Sequence, residues 1–252
     1  MSENINQLNL DALPIQIRDT VNYFADKLIS SLGKNLLSIT VVGSSLTEDY
    51  NPGQSDINTV LVLGGQAINY LKPITSMVKP MSRRRISAPL LMTSSYIERS
   101  LDVFGVEFLD FQLTHQTILG DDPFAGLTFK KNDVRLQCER EFKAMLIRLR
   151  QGYIAAAANR KLVRDILIST AKGLAPLIRA MLWLKDIERP NRAEQTFNRA
   201  AELFSMDLNS LTSAERWSHQ KARLDESQVD NAFESIYSIV DKLAEIVDSL
   251  EV

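Results

Sequence analysis

Cysteine is nearly absent, Cys138 being the single one. No disulfide can close within the chain, and its own thiolates cannot assemble a zinc site. Histidine is almost as scarce: His115 and His219 stand far apart, without carboxylate or cysteine neighbours at metal-ligand spacing. Zinc chemistry is therefore not expected, and without a strand-Gly-x-Ser-x-Gly elbow neither is a hydrolase triad. No apolar run reaches about 18 residues, Met1 to Leu10 lacks the basic and apolar regions of a leader, and there is no internal repeat or Gly/Ser/Pro linker. These absences predict a cytoplasmic protein with no membrane partner and with tightly joined domains. An excess of one charge is missing too. The 29 basic and 31 acidic residues give a net charge of -2, so a nucleic-acid partner is not expected without a local basic patch.

What remains is ordinary for a globular protein: 252 residues, 45% of them hydrophobic and 24% charged, enough for two domains with separate cores. Leu13 to Leu32 places Ile15, Ile17, Val21, Phe24, Ala25, Leu28 and Ile29 at helical spacing, and Gly33 is a plausible stop. Leu36 to Val42 reads as a strand, Asn51-Pro52-Gly53 as a turn, and Ile57 to Leu63 as an interior strand apolar on both faces. A helix is expected over Ala67 to Met81, with Ile68, Leu71, Ile74 and Val78 on its apolar side and Pro73 as a weak point. Ile86 to Met92 is expected as a strand that Pro89 confines to an edge. Ser95 to Phe104 reads as a helix, Val106 to Leu113 as a further strand, and Leu119 to Pro123 as a loop.

After about Phe129 the periodicity is helical only. Cys138, Phe142, Met145, Leu146, Leu149 and Tyr153 recur at three and four residues, Leu162 to Leu184 is apolar nearly all round and so buried, and Val229 to Leu250 carries one apolar stripe. The expectation is an α/β (α+β) mixed-sheet domain over residues 1–128 and an all-α helical bundle over residues 129–252.

One stretch carries chemistry. An apolar strand runs into Gly43-Ser44-Ser45, and eleven residues after Ser45 comes Asp56, in the segment Ser55-Asp56-Ile57-Asn58 that opens the next strand. Strand alternation sends Asp56 and Asn58 to the same face. Gly43 allows close backbone approach to a phosphate, and Ser44 and neighbouring amides can donate to its oxygens.

Gly43-Ser44, the loop and Ser55-Asp56-Ile57-Asn58 resemble the signature of the nucleotidyltransferase superfamily, which includes DNA polymerase beta and the antibiotic nucleotidyltransferases. In that family Gly-Ser leads through a Gly-containing loop to Ser-Asp-hydrophobic-Asp. Here the second aspartate is Asn58, and Thr47, Glu48 and Asp49 stand at the usual place of the loop glycine. The resemblance covers roughly residues 13–120 and implies a site for a nucleoside triphosphate, formed by Gly43, Ser44, Ser45 and Ser55. It also implies magnesium held by Asp56, Asn58 and Glu107, the catalytic set, in a reaction where paired metal ions neutralise the triphosphate and activate a hydroxyl. Glu107 is favoured over Asp110 as the third acid; three apart on a strand, they face opposite sides.

The function implied is triphosphate binding with magnesium and nucleotidyl transfer to a hydroxyl of a small molecule or protein, the bundle helping to form the acceptor cleft. The alternative is a catalytically degenerate protein of the same fold, retained for regulation or partner binding. A third reading is a helical oligomerisation module, so a homo-oligomer stays open. Arg83-Arg84-Arg85, with Lys79 just before, suits a triphosphate, a nucleic-acid backbone or a solvated helix end. Glu141, on the charged face of the first bundle helix, is an acceptor-side base or one member of a set of surface ion pairs. The tetrapeptide Arg216-Trp217-Ser218-His219 is too short for a ribonuclease pattern, and Cys138 reads as a packed core thiol.

Overall fold

The first apolar stripe finds its partner in a sheet. In the computed structural model, which describes residues 8–217 and 225–252, helix α1 (Ile15–Leu32) buries Ile17, Val21, Phe24, Ala25 and Leu28. They pack with Leu36, Ile39 and Val41 of strand β1 (Leu36–Val42) and with Leu61 and Leu63 of strand β2 (Asn58–Leu63). Each such aliphatic or aromatic side chain taken fully from water contributes about 1.5–3 kcal/mol. The helix stops at Gly33, as expected.

The segment after β2 is not one helix. It forms a short turn of 3-10 helix at Ala67–Tyr70, then α2 (Leu71–Thr75) and α3 (Val78–Arg83). Pro73 and Pro80 each fall in the first turn of their own short helix, where a missing N–H costs nothing. Within a single continuous helix each would have removed a hydrogen bond. The break shifts the apolar phase: Ile74, Met77 and Met81 are buried, whereas Ile68, Leu71 and Val78 are exposed.

Strand β3 (Leu90–Met92) pairs parallel to β2, and α4 (Ser94–Arg99), α5 (Gly105–Leu113) and strand β4 (His115–Leu119) follow. The four-stranded mixed sheet has the order β3-β2-β1-β4, with β1 antiparallel to both β2 and β4. The Pro89 segment lies at the sheet edge, as its proline requires.

Two expectations are corrected here. Val106 to Leu113 is helical, and the strand beside β1 is His115–Leu119, in a stretch without a predicted element. Gly105, Val106, Phe108 and Leu109 are the buried residues of α5, a three-and-four spacing that suits a helix and not a two-sided strand. The Gln137 side chain accepts from the backbone N–H of Val106 at 2.9 Å, satisfying a first-turn donor that has no intrahelical partner. A β-carbon at Gly105 would lie 2.9 Å from Val134 Cγ2, so the glycine permits this close approach.

Helices only follow: α6 (Lys131–Ala156), α7 (Arg160–Leu184), α8 (Ala193–Phe204), α9 (Asn209–Trp217) and α10 (Glu226–Asp248). Their core joins Cys138, Phe142 and Leu149 to Leu167, Leu174 and Ile178 and to Ile236, Val240 and Leu243. Helix α7 is long and apolar enough to span a membrane by length and composition, but 61% of its most apolar window is buried. Its residues form the centre of the helical core.

The chain divides into two compact units, residues up to Leu101 with Phe111–Thr128, and Asp102–Asp110 with Phe129–Val252. The expected division at residue 128/129 therefore misses Asp102–Asp110, which belongs with the helices. His219 lies outside the described residues.

Candidate functional site

β1 ends where the chemistry begins. Val42 pairs with Asn58 on one side and with His115 on the other, so these residues share one end of the sheet with the Gly43 loop. Gly43 has φ 81° and ψ -155°, a combination open only to glycine without strain. Its N–H donates to the Thr114 carbonyl at 2.9 Å. The next residues form a single turn of 3-10 helix, Ser44–Leu46, closed by the N–H of Leu46 on the Gly43 carbonyl at 3.0 Å. Ser44 is exposed there. Ser45 is turned inward, 1% exposed, and its Oγ has no hydrogen-bond partner among the described residues.

The descending side of the loop is built on Asn51. Its side-chain oxygen accepts from the Gly53 N–H at 3.0 Å and its carbonyl accepts from Gln54 and Ser55, the side-chain turn that asparagine favours. The chain then enters the sheet with Asp56 exposed, Ile57 buried, Asn58 exposed and Thr59 buried. Asp56 and Asn58 thus emerge on one face, and Asn58 Nδ2 lies 3.8 Å from where a Gly43 β-carbon would be.

Of the three consecutive arginines, the third matters to this site. Arg85 Nε lies 3.4 Å from Asp56 Oδ1 and donates to the Ser55 carbonyl at 3.3 Å, and its Nη2 donates to the Gln54 carbonyl. Its backbone is held as firmly: φ is 57°, and its carbonyl accepts from the Ile57 N–H at 2.7 Å. A non-glycine residue in that left-handed region costs about 1–3 kcal/mol, and the surrounding hydrogen bonds hold it there. Arg84 instead lies over the Tyr23 ring at 4.1 Å. Burial pushes the Tyr50 phenol up, with Arg85 acting against that shift and Asp56 adding to it, so Tyr50 belongs to the same electrostatic cluster. In the sequence the arginines form one basic run. The Ile57–Ile86 bridge, which no local pattern in the sequence signals, draws the end of that run beside Asp56.

Glu107 and Asp110 lie on helix α5, where a three-residue separation makes them neighbours on one side, not opposite faces as on a strand. Both fall in the helical unit. The Glu107 carboxylate accepts from Gln137 Nε2 at 2.6 Å. Asp110 accepts from Arg179 Nε at 2.6 Å, both side chains being largely buried. Glu141 pairs with Arg140 at 3.3 Å and Arg148 at 3.7 Å.

His115 has a carboxylate partner after all. Its Nε2 lies 2.8 Å from Asp122 Oδ2, and both residues line a cavity of about 360 Å³ beside β4. Partial burial acts to raise the Asp122 carboxyl, but hydrogen bonds from His115 and the Phe124 N–H outweigh it and hold the group below its ordinary range. Burial drives the Cys138 thiol up to about 12, in keeping with a packed core thiol.

The residues at the Gly43 loop do not fit the magnesium centre expected of them. Asp56, the carboxylate of the Ser55-Asp56-Ile57-Asn58 signature, already faces a guanidinium. Asn58 brings a neutral amide, and β3, the strand beside β2, offers Leu90, Leu91 and Met92 and no acid. Among the described residues no group of three or more His, Cys, Asp or Glu side chains is placed to hold a metal ion. A divalent ion at about 4 Å from a guanidinium is repelled by about 2 kcal/mol in bulk water and by about 8 kcal/mol at an effective dielectric of 20.

No protein-family model matches the sequence, and no curated protein does. Among solved structures the chain is similar to spectinomycin adenyltransferase AAD(9) from Enterococcus faecialis, solved with ATP and spectinomycin. The TM-score is 0.57 and the identity 10%, over 92% of this chain and 99% of the other. The fold, a mixed four-stranded sheet with helices followed by a helical region, matches that of this antibiotic nucleotidyltransferase.

Proposed function

We propose that this protein binds a nucleoside triphosphate at the Gly43 loop and that binding, not nucleotidyl transfer, is its function, in a regulatory or partner-responsive role. The observation that carries this reading is the Asp56–Arg85 pair with Asn58 beside it. Backbone approach at Gly43, exposed Ser44 and a guanidinium favour anionic phosphate, whereas a signature with one carboxylate, already paired, and an amide in place of the second gives little to metal-assisted transfer. That the similar adenyltransferase was solved with ATP supports ATP as the first triphosphate to try.

Titration calorimetry with each of the four nucleoside triphosphates, in parallel with a pyrophosphate-release assay, tests it. The expected result is saturable binding of at least one triphosphate with pyrophosphate release at the buffer background. Absence of binding to all four sinks the proposal. Pyrophosphate release that disappears in Asp56→Ala would replace it with transfer to a hydroxyl acceptor.

A further inference from the structure

We infer that Arg85 takes the place of a divalent cation, so that the site recognises the metal-free polyphosphate chain of its ligand. The inference rests on the triphosphate-binding reading above and specifies how that site would work. A carboxylate beside a triphosphate is repulsive unless a cation neutralises it, and in this chain a covalently attached cation is already there. Arg85 Nε faces Asp56 and the Ser55 carbonyl, and Nη2 is taken by the Gln54 carbonyl. Nη1 has no hydrogen-bond partner among the described residues. A guanidinium carries five donors in a rigid fork, and the two on Nη1 are available to phosphate oxygens.

The surroundings agree with this role. Arg85 and Asp56 line a cavity of about 220 Å³ together with Ser82, Ser87, Ile86 and Ala88 and with the apolar side chains of Val78 and Met81. Whole small-molecule sites run to about 300–1,000 Å³, so this one suits the anionic tail of a ligand, not its entirety. The two loop carbonyls fix the guanidinium without neutralising it. Among the described residues its charge is matched by Asp56 alone, and Asp56 is more than half exposed along its side chain.

The test measures ATP and inorganic tripolyphosphate binding by calorimetry, in EDTA and in excess magnesium, for the wild type and three variants. Wild-type affinity for each ligand is expected to be at least as high in EDTA as in excess magnesium, where most of the ligand carries the metal ion. Arg85→Ala and Arg85→Gln should each weaken binding in EDTA at least tenfold for both ligands, circular dichroism confirming that the fold is intact. Asp56→Asn separates the possibilities most sharply. With Arg85 as the cation, removing the carboxylate charge tightens binding in EDTA at least threefold, whereas a carboxylate that acts through metal would lose binding. Wild-type binding more than tenfold weaker in EDTA, Arg85 variants that bind normally, or weakened binding in Asp56→Asn each overturn the inference while leaving triphosphate binding standing. Failure of the wild type to bind either ligand under either condition overturns both.

Discussion

Asn58 and Arg85 act on one balance from opposite sides. One carboxylate, one guanidinium and a neutral amide sum to zero, so the face presented by Asp56 and Asn58 holds no surplus negative charge for a metal ion. Changing either residue alone leaves an incomplete ligand set, and the double variant Asn58→Asp/Arg85→Ala gives two unpaired carboxylates on one face. That variant is expected to bind Mn²⁺ at least tenfold more tightly than the wild type, measured by the water-relaxation enhancement of the paramagnetic ion. Gly43 makes a different demand. Gly43→Ala forces a β-carbon into backbone angles reserved for glycine and should cost about 1–3 kcal/mol, read from the urea unfolding midpoint. Asp122 supplies a pH signature. Its carboxyl is held below the ordinary range when folded, so its stabilisation is present above that range and is lost as the pH falls through the folded value. Asp122→Asn should therefore flatten part of the acid limb of a thermal-stability profile and lower the melting temperature at neutral pH.

At the scale of elements, what was legible depended on whether local pattern and tertiary surroundings agreed. β1 and β2 were legible because an interior strand is apolar on both faces and its ends are marked by Gly43 and Gly64-Gly65. The loop between them announced itself through Asn51-Pro52-Gly53. β4 was hidden because His115, Gln116 and Thr117 are polar residues made strand by pairing with β1, a long-range contact that no local period encodes. α5 misled for the opposite reason: Val106, Phe108 and Phe111 favour strands, and the packing of Val106 and Leu109 into the helical core overrode that preference. Asp56 and Asn58 could be placed on one face by strand alternation alone. Arg85 could not be assigned to them, since its position follows from a parallel bridge and a left-handed backbone. Misreading α5 also concealed the Asp110–Arg179 pair. Removing one partner of a largely buried pair strands the other charge, so Asp110→Ala should cost about 3–5 kcal/mol, seen as a drop in the chemical-denaturation midpoint. Asp225→Ala, which opens the side-chain cap of α10, is a milder comparison at about 1 kcal/mol.

The whole molecule carries a reporter of its own integrity in Cys138. The thiol is fully buried in the helical core and its ionisation is displaced to about 12 by burial, with Glu107 and Glu141 adding to the effect. Ellman's reagent at neutral pH should give no prompt reaction with the native protein and one equivalent in denaturant, the native rate following the opening of the helical unit. Labelling in the native state as fast as in denaturant would contradict the packing described for α6.

Helix α5 has a consequence for how the molecule can be divided. A cut at residue 128/129, the natural place by sequence, would take Val106 and Leu109 away from the helical core and leave Arg179 without its carboxylate. Neither half is then a cassette that one crossover could transplant into another protein. Recombination that preserved both cores would have to keep Asp102–Asp110 with the helices while leaving Phe111–Thr128 with the sheet. The nine residues between Leu101 and Phe111 act as a stitch that makes the two units inherit together.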